Sequence, residues 1–307
     1  MSEVSAGLVK ELRNKTGAGM MDCKNALVET NGNIEDAIDW LRKKGISGAD
    51  KKSARVAADG VIAIASNDSA IALVEVNSET DFVSRNPDFQ SFVKNLSNLA
   101  IDKGDNIELL KNAIYENGKT VTESLTELIA KIGENIVLRR TVLIRSKNAI
   151  FSSYIHGQVA DGMGKIGVAI SIATDGDKES VRAFGKQLAM HVAAAKPIAI
   201  NSESVDQKLV EREKNILIEQ AKSSGKPENI IEKMVEGRIK KFFSEITLLD
   251  QTWVLDGESK VSKIILDKEK ELACKITVED FKMFVLGEGI EVEKKDFAEE
   301  VAEQINN

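Results

Sequence analysis

The sequence predicts an α+β protein, and three of its patterns support that prediction. Apolar residues recur at helical spacing in the first 50 residues, and short apolar runs separated by turns begin after residue 59. Two further helical patterns lie within residues 203–246. An apolar residue every three or four positions is typical of an amphipathic helix, and short apolar runs bounded by turn residues are typical of strands. We therefore expect helical units beside sheets built from antiparallel hairpins.

Residues 1–50 are predicted to form three short helices. The first carries the apolar stripe Val4, Leu8, Val9 and Leu12, and the TGAG segment at 16–19 ends it. The second runs over about Met20–Glu29, and the third ends near Gly45. A unit of this size has a marginal core of its own, and such modules often serve as docking units. A linker is expected at 51–58.

The next part of the chain repeats one order of elements. Apolar runs at 61–64 and 71–76 flank the turn Asn67–Ser69 and predict a hairpin, which a helix follows from about Pro87. A related order, with an apolar run at 166–172 and a helix around Val181, recurs about 95 residues later. Such recurrence predicts two structurally similar halves of one core, at 59–146 and 147–290.

An antiparallel helical hairpin is predicted as an insertion in the second half, at about 200–246. Its two helical patterns stand on either side of SSGKP at 223–227, a short turn segment. Near the C-terminus, strand character is expected around Met283–Leu286. A final short helix at 294–305 belongs to a C-terminal module at 291–307.

Composition and charge exclude several classes of protein. The chain of 307 residues has a net charge of −7, which is a poor match to a nucleic-acid binder with a basic face. Two distant cysteines do not predict a disulfide framework or a zinc cluster. No apolar run reaches the roughly 18 residues that a membrane span needs, and the N-terminus has no leader-like segment. We therefore expect a cytoplasmic protein with no metal and no cofactor.

Catalytic motifs are largely missing. GMGKIG at 162–167 does not fit the phosphate-binding loop pattern and is better interpreted as a hairpin turn. Cys23 lies in an amphipathic helix with no histidine nearby, and His156 has no evident partner carboxylate, so neither is a strong nucleophile or base. Three functions stay open from the residues: a factor that changes the state of its partner, a plain binding scaffold, and an enzyme that uses Cys23 or His156.

The stretch EVNSETDFVSRN at 75–86 raises a specific question. Phe82 follows an apolar run but belongs to no periodic pattern of its own. It either folds back beside Val83 and Phe89 into the core of this chain, or it finds its core in another molecule.

Seven motifs together make the sequence similar to the elongation factor Ts family. In the family's order they are TGAGMMDCKNAL (16–27), AADGVI (57–62), TDFV (80–83), KIGENI (131–136), HVAAAKP (191–197), KMVEGR (233–238) and GEGIE (287–291). The resemblance implies a ubiquitin-associated-like N-terminal domain, a core of two α+β halves, a coiled-coil insertion at the helical hairpin and a short C-terminal module.

The resemblance also implies a function and a site. The family exchanges guanine nucleotide on elongation factor Tu in bacterial translation, without chemistry of its own. Its functional motif maps onto Thr80, Asp81, Phe82 and Val83, which in relatives dislodge the magnesium ion from the partner. Further partner contacts are implied at Met21, Lys24, Ile132, Gly133 and His156, and at the C-terminal helix.

Two expectations accompany this assignment. Met20 is expected to lie in the core of the N-terminal unit, with Met21 directed outward. The complex with elongation factor Tu is expected to contain one copy of each protein or two, and the helical hairpin is a candidate for dimerisation.

Overall fold

The computed structural model describes residues 4–44, 52–222 and 227–291. Within these ranges, helices and antiparallel strands form an α+β fold, as predicted. The C-terminal helix predicted at 294–305 lies outside the described residues. The predicted domain limits at 1–50, 51–58, 59–146, 147–290 and 291–307 stay predictions. No described helix is long and apolar enough to cross a membrane.

The three N-terminal helices are confirmed and pack around their own core. They are α1 (Ala6–Thr16), α2 (Met20–Glu29) and α3 (Ile34–Lys43). The core consists of fully buried side chains that include Leu12, Cys23, Leu27 and Leu41. The Ser5 hydroxyl caps α1 by accepting from the Leu8 N–H, and Gly17 ends this helix in the left-handed conformation.

The first half of the core is a four-stranded sheet with helices on one face. Its strands are β1 (Asp59–Ser66), β2 (Ala70–Ser78) and β3 (Ile136–Arg145), and the helices between β2 and β3 are α4 (Pro87–Lys103), α5 (Ile107–Lys111) and α6 (Val121–Ile132). A two-residue strand from the second half, β5 (Met163–Gly164), completes the order β3-β2-β1-β5. The N-terminal helix α1 packs against α6.

The second half repeats this plan with a three-stranded sheet in the order β4-β6-β7. Its elements are β4 (Ala149–His156), β6 (Ile166–Thr174), α7 (Lys178–Ala195), α8 (Gln207–Lys222), α9 (Glu228–Ile246), α10 (Val261–Leu272) and β7 (Ile276–Val285). Helices α8 and α9 form the predicted hairpin around a small apolar cluster of Leu217, Ala221 and Val235. The interpretation of GMGKIG as a hairpin turn is wrong, because this segment contains β5 and the start of β6, and β5 pairs with β1 rather than with β6.

The two halves share a feature that the sequence did not suggest. Strand β3 pairs with β2 in the first half, and β7 pairs with β6 in the second. Each pairing shifts register by one residue at a β-bulge. The shift follows Glu75 in β2 and Ser171 in β6, and each of these is the sixth residue of its strand. The common position of the bulge supports the interpretation of the halves as a structural repeat.

The two sheets pack against each other, with helices on both outer faces. Inner-face side chains of both sheets form one cluster: Ile62, Ile71, Leu73, Ile144, Phe151 and Ala169. Strand β2 is buried along its whole length because it is covered on both faces, which explains its continuous apolar run. A Cβ at Gly167 would lie 2.5 Å from Cγ2 of Ile62, so the close approach of the sheets there favours glycine.

Two C-terminal elements differ from the sequence prediction. The strand expected around 283–286 is β7, which extends over Ile276–Val285, because pairing with β6 extends it toward the N-terminus. Helix α10 was not predicted. It buries only Val261 and Ile265, and its other positions are mostly charged, so its apolar stripe is narrow.

Candidate functional site

Phe82 projects from the loop that joins β2 to α4. Its side chain is 75% exposed, whereas that of the next residue, Val83, is 4% exposed and belongs to the core of the first half. The folding-back hypothesis is therefore wrong for Phe82, although it describes Val83 correctly. A large exposed aromatic beside a buried anchor is an arrangement that suits contact with another molecule.

The loop is held in place by hydrogen bonds of its own. A short 3₁₀ turn at Val83–Arg85 follows Phe82, whose backbone is in the ordinary right-handed helical region. The Ser84 hydroxyl donates to the Asp81 carbonyl at 2.6 Å, and the Arg85 N–H donates to the Phe82 carbonyl at 3.1 Å. Phe82 and the exposed Asp81 are thus presented by an ordered and unstrained turn.

A second segment, residues 133–135, braces the start of this loop. The Glu134 carboxylate accepts from the Thr80 N–H at 2.9 Å and from the Thr80 hydroxyl at 2.7 Å. In return, the Asn135 N–H donates to the Glu79 carboxylate at 2.6 Å. Each glutamate therefore accepts a hydrogen bond from the backbone N–H of the residue that follows the other glutamate. These bonds join residues 54 and 56 positions apart in the sequence.

The brace brings Ile132 and Gly133 to the base of the loop. Ile132 is the last residue of α6 and is half-buried, and Gly133 ends this helix in the left-handed conformation with φ of 92°. A residue with a side chain is strained in this conformation, so glycine suits the turn that leads into Glu134. The structure thus unites two of the predicted site segments, Thr80–Val83 and Ile132–Gly133.

The segment that precedes β1 also joins this base. The Asn135 side chain donates to the Arg55 carbonyl at 2.7 Å, and the Arg55 guanidinium lies 3.4 Å from the Glu79 carboxylate. No sequence pattern singled out Glu79, Glu134 or Asn135 as a contact residue. The KIGENI motif pointed to the last two, but a motif does not say which of its residues makes a contact.

The predicted docking residues of the N-terminal unit are exposed. Met21 is 65% exposed and Lys24 is also on the surface. The expectation for Met20 is wrong, because its side chain is 57% exposed. Met20 is the first residue of α2, and the buried face of this helix begins one turn later, at Cys23.

The remaining candidates stand apart from the loop. His156 is exposed at the end of β4, and its ring lies 3.3 Å from the Tyr154 hydroxyl. No hydrogen bond, ion pair or ring contact given for the described residues joins His156 to residues 79–86. Burial raises the pKa of the Cys23 thiol, which opposes its use as a nucleophile.

A buried ionic cluster lies in the first sheet, near the end of β2 that leads into the Phe82 loop. Glu75 of β2 is fully buried and binds Arg139 at 2.9 Å and Arg140 at 2.5 Å. The bulge directs these consecutive arginines to the same face of β3, where alternation would have separated them. Glu75 also accepts from the Gly287 N–H at 2.9 Å, which ties the segment after β7 to the first sheet.

The pKa of Glu75 reflects two opposing causes. Burial by itself would raise it, but the hydrogen bonds from the Gly287 N–H and from the two arginines outweigh burial and lower it. Glu75 is therefore an anion at neutral pH. The sequence does not single out this residue, since a glutamate inside an apolar run gives no indication of its partners.

Two clefts of the described chain lie away from this loop. One of about 810 Å³ runs between α8 and α9, and one of about 540 Å³ separates the N-terminal helices from α6. Neither is lined by residues of the Phe82 loop. The fold and this site define an α+β binding factor that presents side chains on its surface.

Comparison with known proteins places this binding factor in a family. The family described as Elongation factor TS matches residues 79–288. Elongation factor Ts of Rhizobium etli (strain CIAT 652) is 50% identical over 303 residues, which cover 98% of each chain. Elongation factor Ts of Rhodospirillum centenum is 48% identical over 303 residues, which cover 98% of this chain and 99% of the relative. The chain belongs to the elongation factor Ts family.

Proposed function

We propose that this protein is a guanine-nucleotide exchange factor for elongation factor Tu in translation elongation. It binds the GDP-bound partner, displaces the partner's magnesium ion and releases GDP, so that GTP can enter. The observation that supports this proposal is the exposed Phe82 on a braced loop, within the motif that the resemblance associates with ion displacement. The protein works in the cytoplasm and needs no cofactor of its own.

In the proposed mechanism, Phe82 acts as a wedge. A magnesium ion that bridges GDP phosphates needs near-ideal octahedral geometry, so a small shift of its supports weakens it. An inserted aromatic side chain moves a packed helix because packed interfaces shift in discrete steps. Asp81 lies beside the wedge and redirects polar groups around the ion. Val83 anchors the loop from within the core.

The wedge does not act alone. A thousandfold acceleration of GDP release corresponds to about 4 kcal/mol. Burial of one phenylalanine side chain supplies roughly 1.5–3 kcal/mol. The rest of the coupling comes from docking by other surfaces. We assign these surfaces to the N-terminal residues Met21 and Lys24, with the exposed Met20 beside them. We also assign them to Ile132, Gly133 and His156.

The coupling between the two ligands of the partner is reciprocal. If this protein weakens GDP binding by a given factor, GDP weakens the binding of this protein by the same factor. Nucleotide that binds again to elongation factor Tu therefore releases this protein, and one copy serves many copies of the partner. A scaffold that binds without changing nucleotide affinity does not show this turnover.

Stopped-flow release of a fluorescent GDP analogue from elongation factor Tu tests the proposal. This protein is added at substoichiometric amounts, and Phe82→Ala and Asp81→Ala are measured beside the wild type. Catalytic release that slows in both variants is the expected result. Leu109→Ala is the matched control, since Leu109 is 56% exposed on α5 and is not part of the site.

Two results contradict parts of the proposal. Release at the spontaneous rate, with complex formation still detected, refutes exchange and leaves a binding scaffold. Fast release that is unchanged in Phe82→Ala and Asp81→Ala retains exchange but refutes the wedge. Light scattering of the purified complex then gives the number of copies of each chain.

A further inference from the structure

Glu134 stands out among the groups near the loop because it uses both carboxylate oxygens on a single residue. One oxygen accepts from the Thr80 N–H at 2.9 Å and the other from the Thr80 hydroxyl at 2.7 Å. Thr80 is two residues before Phe82. Hydrogen bonds to a charged acceptor are shorter and stronger than those between neutral groups, and a two-point attachment also fixes orientation.

We propose that Glu134 is a positioning residue that sets the placement of Phe82 through Thr80. The inference rests on the proposed function, since the effect of Glu134 is measured through exchange. Glu134 itself remains at the base of the loop and touches Thr80, and it does not have to contact the partner.

The position of Glu134 in the chain supports this role. Helix α6 ends at Ile132, Gly133 reverses the chain in its left-handed conformation, and Glu134 follows at once. Its side chain is therefore attached to the C-terminal end of a helix that packs on the same core as Val83. The brace connects this packed element to a loop that β2, the buried Val83 and α4 also hold.

The charge of Glu134 has no cationic partner among the described residues. The neighbouring Glu79, by contrast, lies 3.4 Å from the Arg55 guanidinium. Glu134 is half-buried, so its loss leaves no fully buried group without a partner. An effect of Glu134 on loop position can therefore be separated from a general contribution to stability. The substitution Glu134→Gln tests this effect.

Glu134→Gln keeps the shape of the side chain but replaces one acceptor oxygen with an amide donor. The remaining oxygen can still accept from the Thr80 N–H and the amide can donate to the Thr80 hydroxyl, so both contacts lose the charge of their acceptor. We expect the maximal rate of GDP release to fall about tenfold, because a hydrogen bond to a charged acceptor is roughly twice as strong as a neutral one. The concentration for half-maximal rate is expected to stay unchanged, because the docking surfaces are intact.

The matched control is Glu127→Gln. Glu127 lies on α6, the helix that Glu134 follows, and pairs with Lys119, so its replacement by glutamine makes the same chemical change nearby in the chain. Its exchange kinetics are expected to equal those of the wild type. Thr80→Val removes the hydroxyl that donates to Glu134 and is expected to slow release as Glu134→Gln does.

A double-variant cycle gives the decisive measurement. If Glu134 acts through the wedge, Glu134→Gln combined with Phe82→Ala releases GDP no more slowly than Phe82→Ala alone. Multiplied losses, or an effect confined to the half-maximal concentration, overturn the inference. So does a wild-type rate in Glu134→Gln while Phe82→Ala is slow. If wild-type protein does not accelerate release at all, the proposed function fails and the inference fails with it.

Discussion

Neutralisation of Glu75 should destabilise the core far more than its single changed atom suggests. Glu75 is fully buried and accepts hydrogen bonds from Arg139, Arg140, Gly287 and Asn77. In Glu75→Gln, one carboxylate oxygen becomes an amide that cannot accept any of them. The variant keeps the side-chain volume, so the change tests the ionic cluster and not the packing.

The magnitude follows from the partners that are lost. A hydrogen bond to a charged group contributes about 1.5–3 kcal/mol, and breaking a buried ion pair costs about 3–5 kcal/mol. The side chains of Arg139 and Arg140 are 26% and 30% exposed, so water replaces part of the lost interaction. We therefore expect the lower limit, a loss of about 3 kcal/mol. At about 2–4 °C per kcal/mol, Tm falls by about 6–12 °C.

The effect has a definite pH dependence. The folded state lowers the pKa of Glu75 below its ordinary value of 4.5, so the unfolded chain takes up the proton first as the pH falls. The stabilisation is present above about pH 4.5 and is lost as the pH falls through the lower pKa of the folded protein. The difference between wild type and Glu75→Gln therefore narrows on acidification below pH 4.5.

Thermal unfolding followed by far-ultraviolet circular dichroism, at neutral pH and at several values below 4.5, measures both effects. Glu279→Gln is the matched control, since Glu279 lies at the corresponding bulge of the second sheet, is exposed and bonds Ser171. Its stability should change by no more than about 0.5 kcal/mol. An equal loss in the two variants, or a loss in Glu75→Gln below about 1 kcal/mol, would refute the reasoning.

Three further predictions follow from burial. Val83→Ala should lower the free energy of unfolding by about 2 kcal/mol, while Phe82→Ala changes it by less than about 0.5 kcal/mol; denaturant unfolding separates the two, and equal losses would contradict the burial difference. Burial lowers the pKa of His191, which lies 2.9 Å from the Gln251 side chain and has the Val254 N–H as a donor to Nδ1. The unfolded chain binds the proton more readily, so stability should fall as the pH drops below about 6.5, and His191→Gln should remove that slope; an unchanged slope would assign it to other groups. Replacement of the exposed Met20 and Met21 by serine should weaken binding to elongation factor Tu about tenfold to a hundredfold, as measured by titration calorimetry. Thermal unfolding should show no loss of Tm. Unaltered affinity would remove this surface from the docking assignment.

Local patterns were sufficient for the elements whose burial follows from their own sequence. Helices α1 to α3 and the hairpin of α8 and α9 were predicted, because apolar side chains three or four positions apart mark the buried face of a helix wherever the helix packs. The apolar run of β2 predicted a strand because it is short and bounded by turn residues. Phe82 could be recognised as unusual, because it belongs to no such pattern.

Sequence patterns were insufficient where a contact joins distant residues. Glu134 and Thr80 are 54 positions apart, and Glu75 and Gly287 are 212 positions apart. A charged residue has the same appearance in a sequence whether it is solvated or paired. The bulge after Glu75 is equally hidden, since the register of β3 depends on its partner strand.

The sequence by itself determined most of the segments that are helical or extended, although not α10, and its motifs indicated the family. The tertiary structure decided that Phe82 faces outward while Val83 is buried, and that Met20 is exposed. It also decided that the turn after α6 holds the loop in place. The physical reason is that periodicity records the average environment of a segment, whereas the direction of one side chain depends on which distant groups occupy the space around it.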